Sequence, residues 1–189
     1  MKKSIGLLAL ICLLSTWSAK AQEVELGLKG GLNFSTLGEN SDNDPLKLGF
    51  HAGGYLSVPV SPNFSIQPEL LYSQQGEISD WENATYRYDY INVPVMGKIY
   101  LTDGLNVQIG PQLGFLTAAK YKTGRNTKDI TDEINPLDLS LGFGVGYEGR
   151  SGANFTLRYN AGLYDTEKYP KTDYNYYNQV IQISLGHSI

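Results

Sequence analysis

The chain of 189 residues contains one cysteine and two histidines. The cysteine, Cys12, lies in an apolar stretch near the N-terminus, so residues 22–189 have no disulfide and no thiol chemistry available. His51 and His187 are the only imidazoles, which leaves little material for a histidine-rich metal site. Positive charge is also scarce: 15 Lys and Arg stand against 19 Asp and Glu, a net charge of −4, and this argues against a nucleic-acid partner. Past Ala21 no stretch approaches the ~20 apolar residues of a membrane-crossing helix. A chain lacking such a run crosses a membrane only as a closed β-barrel.

What is abundant is glycine, 21 residues, and tyrosine, 14, a composition suited to β-structure with aromatic interfaces. The first residues read differently from the rest. Met1-Lys2-Lys3 is basic, Ile5 to Leu14 is apolar, and Ala19-Lys20-Ala21 has the A-x-A form of a cleavage site. This predicts a secretory signal peptide over residues 1–21, cut between Ala21 and Gln22, followed by one domain over 22–189. Cys12 is preceded by Ala9-Leu10-Ile11 with apolar sequence after it, a poor setting for lipoprotein attachment.

From Val24 onward apolar residues recur at every second position. Val24, Leu26, Leu28, Leu32 and Phe34 alternate with Glu25, Gly27, Lys29, Gly31, Asn33 and Ser35, the signature of a strand with one apolar and one polar face. The pattern recurs in blocks at Leu46–Val58, Phe64–Gln75, Tyr86–Leu101, Leu105–Ala118, Leu137–Glu148, Phe155–Leu163 and Tyr174–Ile189. Connections alternate between long polar stretches (Thr36–Pro45, Gly76–Thr85, Ala119–Pro136, Tyr164–Asp173) and short ones (Pro59–Asn63, Thr102–Gly104, Gly149–Ala153). Short periplasmic turns, long outer loops and an even strand count are the rule for outer-membrane barrels. The expectation is an all-β, eight-stranded antiparallel up-and-down transmembrane barrel, both termini periplasmic. Tyrosines near the long loops (Tyr72, Tyr86, Tyr88, Tyr90, Tyr121, Tyr164, Tyr174, Tyr176, Tyr177) and aromatics near the short turns (Phe64, Tyr100, Tyr147, Phe155) read as two girdles at the headgroups. Pro68, Pro94 and Pro111 each remove a ladder donor, and bulges are expected to absorb them.

The segments Gly27-Leu28-Lys29-Gly30-Gly31-Leu32-Asn33-Phe34-Ser35, Gln67-Pro68-Glu69-Leu70-Leu71-Tyr72-Ser73, Tyr90-Ile91-Asn92-Val93-Pro94-Val95 and Gly110-Pro111-Gln112-Leu113-Gly114-Phe115 carry a resemblance over essentially all of residues 22–189. The chain resembles the outer-membrane β-barrel family of Bacteroidota, often labelled porin-family or PorT-like. The resemblance implies a small barrel in the outer membrane of a Gram-negative bacterium and little about activity; some relatives serve in protein secretion to the cell surface. Such barrels usually end in an aromatic residue, whereas this chain ends His187-Ser188-Ile189.

An eight-stranded barrel is just wide enough for side chains to fill it. Its predicted lumen holds Glu25, Lys29, Lys47, His51, Glu69, Lys98, Asp138, Glu148 and Arg158, either a narrow ion path or a mutually paired polar plug. The plug is the favoured reading, and no cofactor is called for. A catalytic site would need a nucleophile, a base and an orienting group together, and neither His51 nor His187 belongs to a recognisable nucleophile motif. Glu39, Asp42 and Asp44 gather before Pro45 but lack the further ligands and glycine of a calcium loop. Lys120, Lys122, Arg125 and Lys128 precede Asp129, Asp132 and Glu133 in the longest loop: a surface for lipopolysaccharide phosphates or a self-neutralising loop. The expected function is a non-enzymatic outer-membrane barrel with a structural, surface-binding or secretion and envelope-assembly role. Its partners would be outer-membrane lipid, lipopolysaccharide and other envelope proteins, with Trp81, Tyr86, Tyr121 and Tyr169 as loop contacts. The alternatives are a small pore, an outer-membrane lipid hydrolase, or a soluble barrel with its apolar face inward.

Overall fold

The computed structural model describes residues 24–38, 45–79, 83–166 and 176–189. The expected signal peptide with Ala21 and Gln22, the loop residues Trp81 and Tyr169, the Asp42–Asp44 cluster with Glu39, and Tyr174 lie outside the described residues. The strands are β1 (Glu25–Leu37), β2 (Lys47–Ser61), β3 (Phe64–Ser79), β4 (Ala84–Tyr100), β5 (Leu105–Thr123), β6 (Asn126–Asp129), β7 (Leu137–Glu148), β8 (Ala153–Asp165) and β9 (Tyr177–Ser188). Eight of them close a ring of antiparallel ladders. The closing pair, β1 on β9, runs from Gly27 opposite Ser188 to Leu37 opposite Asn178. β6 pairs with β5 only and stands outside the ring.

The period-two pattern sets the two faces of the wall. Outward residues stay open, with Leu28 at 62 % exposure and Leu185 at 68 %, while inward Asn33, Ser73 and Arg158 are at 0–1 %. An apolar belt of that extent exceeds by far the few hundred Å² that water-soluble proteins expose. Lipid is its solvent, and the soluble inside-out barrel is excluded.

Three departures from the expected pattern matter. First, β3, β4 and β5 run 16, 17 and 19 residues, well beyond the ~9–11 a tilted strand needs to cross a bilayer. The stretch Gly76–Thr85, a loop by its polarity, is therefore mostly hairpin, with Gly76 opposite Arg87 and Ser79 opposite Ala84. It is polar on both faces because it has left the apolar band. Second, Asp89 pairs Ala118 but Tyr90 pairs Leu116, so Thr117 is an extra residue, and its hydroxyl donates to the Asp89 carbonyl at 2.8 Å. That bulge reverses the alternation beyond it: Ala119 and Tyr121 turn inward, Lys120 and Lys122 outward. Third, the expected bulges at Pro68, Pro94 and Pro111 are absent. Register runs unshifted past all three, and the shifts fall at Pro59/Ser61, Asp89/Tyr90 and Ala161/Asp165. Bridge pairs are skipped on the strand facing each proline instead, so the sheet forfeits a few bonds and keeps its order.

At several inward glycines the neighbouring backbone comes closer than any side chain permits. A Cβ on Gly31 would sit 1.9 Å from the Ile183 carbonyl oxygen. Gly31→Ala is expected to lower stability by about 1–3 kcal/mol through forced strand separation, read from urea unfolding of the refolded barrel. Equal stability would mean that the β1–β9 seam yields without strain.

The end carrying the β5–β6 hairpin is closed by an apolar cap. Leu37, Tyr88, Tyr90, Ala119, Ile130 and Ile134 are buried together, with Tyr86, Leu116, Tyr121 and Tyr176 packed on them. The segment after β6 folds back onto the rim, where the Ile130 N–H donates to the Ala119 carbonyl at 3.0 Å and the Leu116 N–H to the Pro136 carbonyl at 2.9 Å. Much of the expected tyrosine girdle at this end is thus an inner lid. At the other end Tyr147 and Phe155 do face outward, at 55 % and 45 % exposure, while Tyr100 turns into the mouth and donates to Glu148 Oε2 at 2.7 Å.

Candidate functional site

The densest chemistry in the molecule is inside the barrel. Glu69, on β3, is its hub. Arg158 on β8 grips both carboxylate oxygens, Nη1 to Oε2 at 3.0 Å and Nη2 to Oε1 at 2.7 Å. Lys29 on β1 lies 3.3 Å from each, and Gln67 Nε2 donates to Oε1 at 2.7 Å. Arg158 Nη2 also donates to Gln108 Oε1 at 3.0 Å, and Gln108 to Asn106 Oδ1 at 2.9 Å. Glu69, Arg158 and Lys29 are 3 %, 1 % and 6 % exposed. A two-pronged guanidinium contact is the strongest form of charged hydrogen bond, and burial raises the cost of breaking it. These side chains come from four strands and meet across the lumen.

Below the hub, toward the termini, Lys98 is ion-paired to Glu148 and lies 5.9 Å from the centre of the Tyr55 ring. Asn154 Nδ2 donates to the Tyr55 hydroxyl at 2.7 Å. Glu25, expected in the lumen, is exposed at the rim instead, because β1 begins there. Above the hub Lys47 and Asp138 are buried, at 6 % and 4 % exposure. Neither Lys47 Nζ nor Asp138 Oδ1 has a hydrogen-bond partner among the described residues.

His51 sits between the hub and the cap. Its Nδ1 is 2.8 Å from Asn33 Oδ1 and its Nε2 is 2.8 Å from Ser184 Oγ. The amide oxygen only accepts, so Nδ1 carries the proton. Serine, histidine and asparagine in that order have the form of a hydrolytic triad. The surroundings do not complete one. Ser184 is 2 % exposed, and it is registered on both sides, opposite Gly31 and Thr156. The backbone N–H groups that would cradle an oxyanion are therefore committed to ladders. Asn33 is saturated too, donating to the carbonyls of Phe50 (3.2 Å) and Gln74 (2.9 Å) and to Ser73 Oγ (3.0 Å), and accepting from Gln182 Nε2 at 3.1 Å. This is a hydrogen-bonded strut between β1, β2, β3 and β9. His51→Gln is expected to leave membrane lipid profiles unchanged while lowering barrel stability; accumulated intact phospholipid relative to wild type would revive the hydrolase reading. His187 is exposed at the rim.

On the outside, the protruding hairpins carry charge. Arg87 and Lys120 are directly opposite each other, with Asp129 next in the row, and Thr85, Lys122 and Thr127 form the row above. Arg87 is held by Asp89, with Nε at 3.0 Å and Nη2 at 2.9 Å, and Lys128 by Glu133 at 2.7 Å. Backbone and hydroxyl hydrogen bonds from Thr131 hold the Asp129 carboxyl below the usual carboxylate range. Tyr86 and Tyr121, expected as exposed contacts, are half-buried and face each other with ring centres 5.0 Å apart. The Thr117 bulge is the reason for Tyr121. Among the described residues no group of three or more His, Cys, Asp or Glu side chains could hold a metal ion.

Sequence reasoning passed over Asn33, Ser184, Gln182 and Gln108, since amides and serines alternate on the inner face at many positions alike. It also passed over Ile130 and Ile134, whose one signal was being apolar within a polar stretch.

The family of outer membrane protein β-barrel domains matches residues 20–168. The chain belongs to that family. It is an outer-membrane β-barrel protein. No curated protein matches its sequence. Among solved structures it is similar to Ail, the attachment invasion locus protein of Yersinia pestis, crystallised with the heparin analogue sucrose octasulfate. That similarity has a TM-score of 0.51 at 13 % identity, covering 89 % of this chain and 100 % of that one. It is likewise similar to neisserial surface protein A, with a TM-score of 0.53 at 9 % identity over 88 % of this chain and 97 % of the other. At such identities the likeness is one of fold.

Proposed function

We propose that this barrel neither conducts nor catalyses, and acts at its loop end as a surface-binding or envelope-accessory protein. The observation that carries this reading is the division between inside and outside. The lumen is crossed by the Glu69 hub and lidded by the cap, whereas β3, β4 and β5 extend past the apolar band and present Arg87, Lys120 and Lys122 outward. Rigid scaffolds with projecting hairpins are where recognition normally resides. The partner we assign to the basic rows is phosphate on lipopolysaccharide of the surrounding leaflet. The sulfated sugar bound by Ail is a ligand of related charge.

In the same reading residues 1–21 are a signal peptide removed before Gln22, and the long hairpins face outward with both termini in the periplasm. The segments Gly27–Ser35, Gln67–Ser73, Tyr90–Val95 and Gly110–Phe115 support reading the chain as a porin-family or PorT-like barrel of Bacteroidota, where a part in secretion or envelope assembly is one of the roles available. The small pore is the weaker reading because the hub spans the lumen.

The test uses the refolded barrel in vesicles. The variant Lys120→Gln/Lys122→Gln/Arg125→Gln is expected to bind lipopolysaccharide at least about tenfold more weakly than wild type, with a shallower salt dependence as exposed charge pairs are lost. Affinity capture from detergent-solubilised outer membrane would then identify protein partners. Unchanged lipopolysaccharide binding would remove the basic rows from the reading, and reproducible conductance steps from wild-type protein in planar bilayers would overturn the closed lumen.

A further inference from the structure

Between the hub and the cap one patch of inner wall holds a carboxylate with nothing among the described residues to balance it. Asp138, near the loop end of β7, is 4 % exposed. Among the described residues no ion pair reaches it, and its Oδ1 has no hydrogen-bond partner. Gly114 on β5 stands opposite Asp138 on one side and Asn92 on the other. The Cβ that Gly114 lacks would be 2.9 Å from Asn92 Oδ1, 3.2 Å from Asp138 Cβ and 3.4 Å from the Tyr90 ring. The amide, the carboxyl arm and the aromatic edge thus lean over the same glycine. Asn92 is 1 % exposed and both its amide atoms are without partners among the described residues. Gln112 precedes Gly114 by one inward step. Its Nε2 is directed to Ser140 Oγ at 3.1 Å, and its Oε1 is likewise unpartnered at 2 % exposure.

Three acceptor oxygens, one of them charged, are left on one patch beneath an apolar lid. A buried carboxylate demands either a counter-charge or a proton. Water supplies donors and no charge. A proton supplies a single donor where three acceptor oxygens are without partners among the described residues. We propose that Asp138, Asn92 and Gln112 form a buried site for one hard monovalent cation, sodium or potassium, with Tyr90 as its wall on the cap side. Hard cations take oxygen ligands, and calcium normally draws on several carboxylates; a single carboxylate with two neutral amides matches one positive charge. Water completes the shell, with Asn92 Nδ2, unpartnered among the described residues, as a donor to it. Because Tyr90 belongs to the cap, occupancy ties the lid to the wall.

The experiment is thermal unfolding of the full refolded barrel in detergent, in sodium, potassium or choline chloride at equal ionic strength. Wild type is expected to unfold about 3–8 °C higher in sodium or potassium than in choline, saturably with cation concentration. Asp138→Asn is expected to unfold at the same temperature in all three. Identical midpoints for wild type in the three salts would overturn the site in favour of water or a proton, and so would an Asp138→Asn variant that keeps the difference. If Asp138→Asn does not refold, Gln112→Met removes one ligand oxygen without charge. It is expected to raise the half-saturating cation concentration by about tenfold, equivalent to ~1.4 kcal/mol, and an unchanged value would overturn the assignment.

Discussion

Glu69→Ala is expected to destabilise the folded barrel by about 3–5 kcal/mol, because it strands Arg158 and Lys29 as uncompensated buried cations. The carboxylate accepts from Arg158 through two bonds of 2.7 and 3.0 Å and shares both oxygens with Lys29, so no remaining group among those described can take its place. Removing the entire charged set is a different matter. The triple variant Lys29→Met/Glu69→Leu/Arg158→Met takes away the desolvation penalty along with the attraction, and is expected to be neutral or more stable than wild type by up to ~4 kcal/mol. Urea titration of the barrel refolded into detergent micelles, followed by far-ultraviolet circular dichroism, measures both. A Glu69→Ala loss below about 1 kcal/mol would show that the lumen is wet enough to solvate the two cations.

The second large effect lies on the opposite face. Phe143→Arg, in the middle of β7, is expected to cost about 2–4 kcal/mol in lipid vesicles, as arginine does near a bilayer midplane. Phe143 points outward at 43 % exposure and is flanked by Ile109 and Tyr159 on the neighbouring strands, so the charge has no counter-ion opposite it on either side. Tyr147→Arg, further down the same strand face and close to the turn, is expected to cost only about 0–1 kcal/mol, since the cost fades toward the interface. The contrast between the two positions maps depth. Equal costs would mean that β7 does not cross the bilayer in the register described.

The interior and the projecting sheet ask different things of the chain. Inside, Glu69, Arg158 and His51 are each bonded to two other strands and Asn33 to three, which ties the ring together across the lumen. Outside, Lys120 and Lys122 owe their direction to a single unpaired residue, Thr117. Deleting Thr117 is therefore expected to return Lys120 and Lys122 to the inner face and to push Tyr121 out, weakening the cap and the basic rows together. Loss of lipopolysaccharide binding without loss of cap packing would separate the two.

The architecture was open to reading from sequence because period-two alternation is local. Each of Leu137, Leu139, Leu141, Phe143, Val145 and Tyr147 declares its side with reference only to its neighbours, and lipid outside makes that declaration uniform around the ring. The same reasoning placed Lys29, His51, Glu69, Lys98, Asp138 and Arg158 on the inner face. Pairing is not local. That Arg158 reaches Glu69 across the lumen, that Asp138 lies across Gly114 from Asn92, and that Glu25 falls short of the interior depend on the register of eight closing ladders. Bulges share that property. A hydroxyl on the neighbouring strand's carbonyl settled where Thr117 stood free, and the prolines that looked the better candidates kept the register. Sequence by itself determined a closed barrel with lipid outside and a polar filling. Only the tertiary structure decided which charges neutralise one another and which strands outrun the membrane. Partner choice across a closed sheet is set by the shared register and the free energy of burial, not by any residue's own preference.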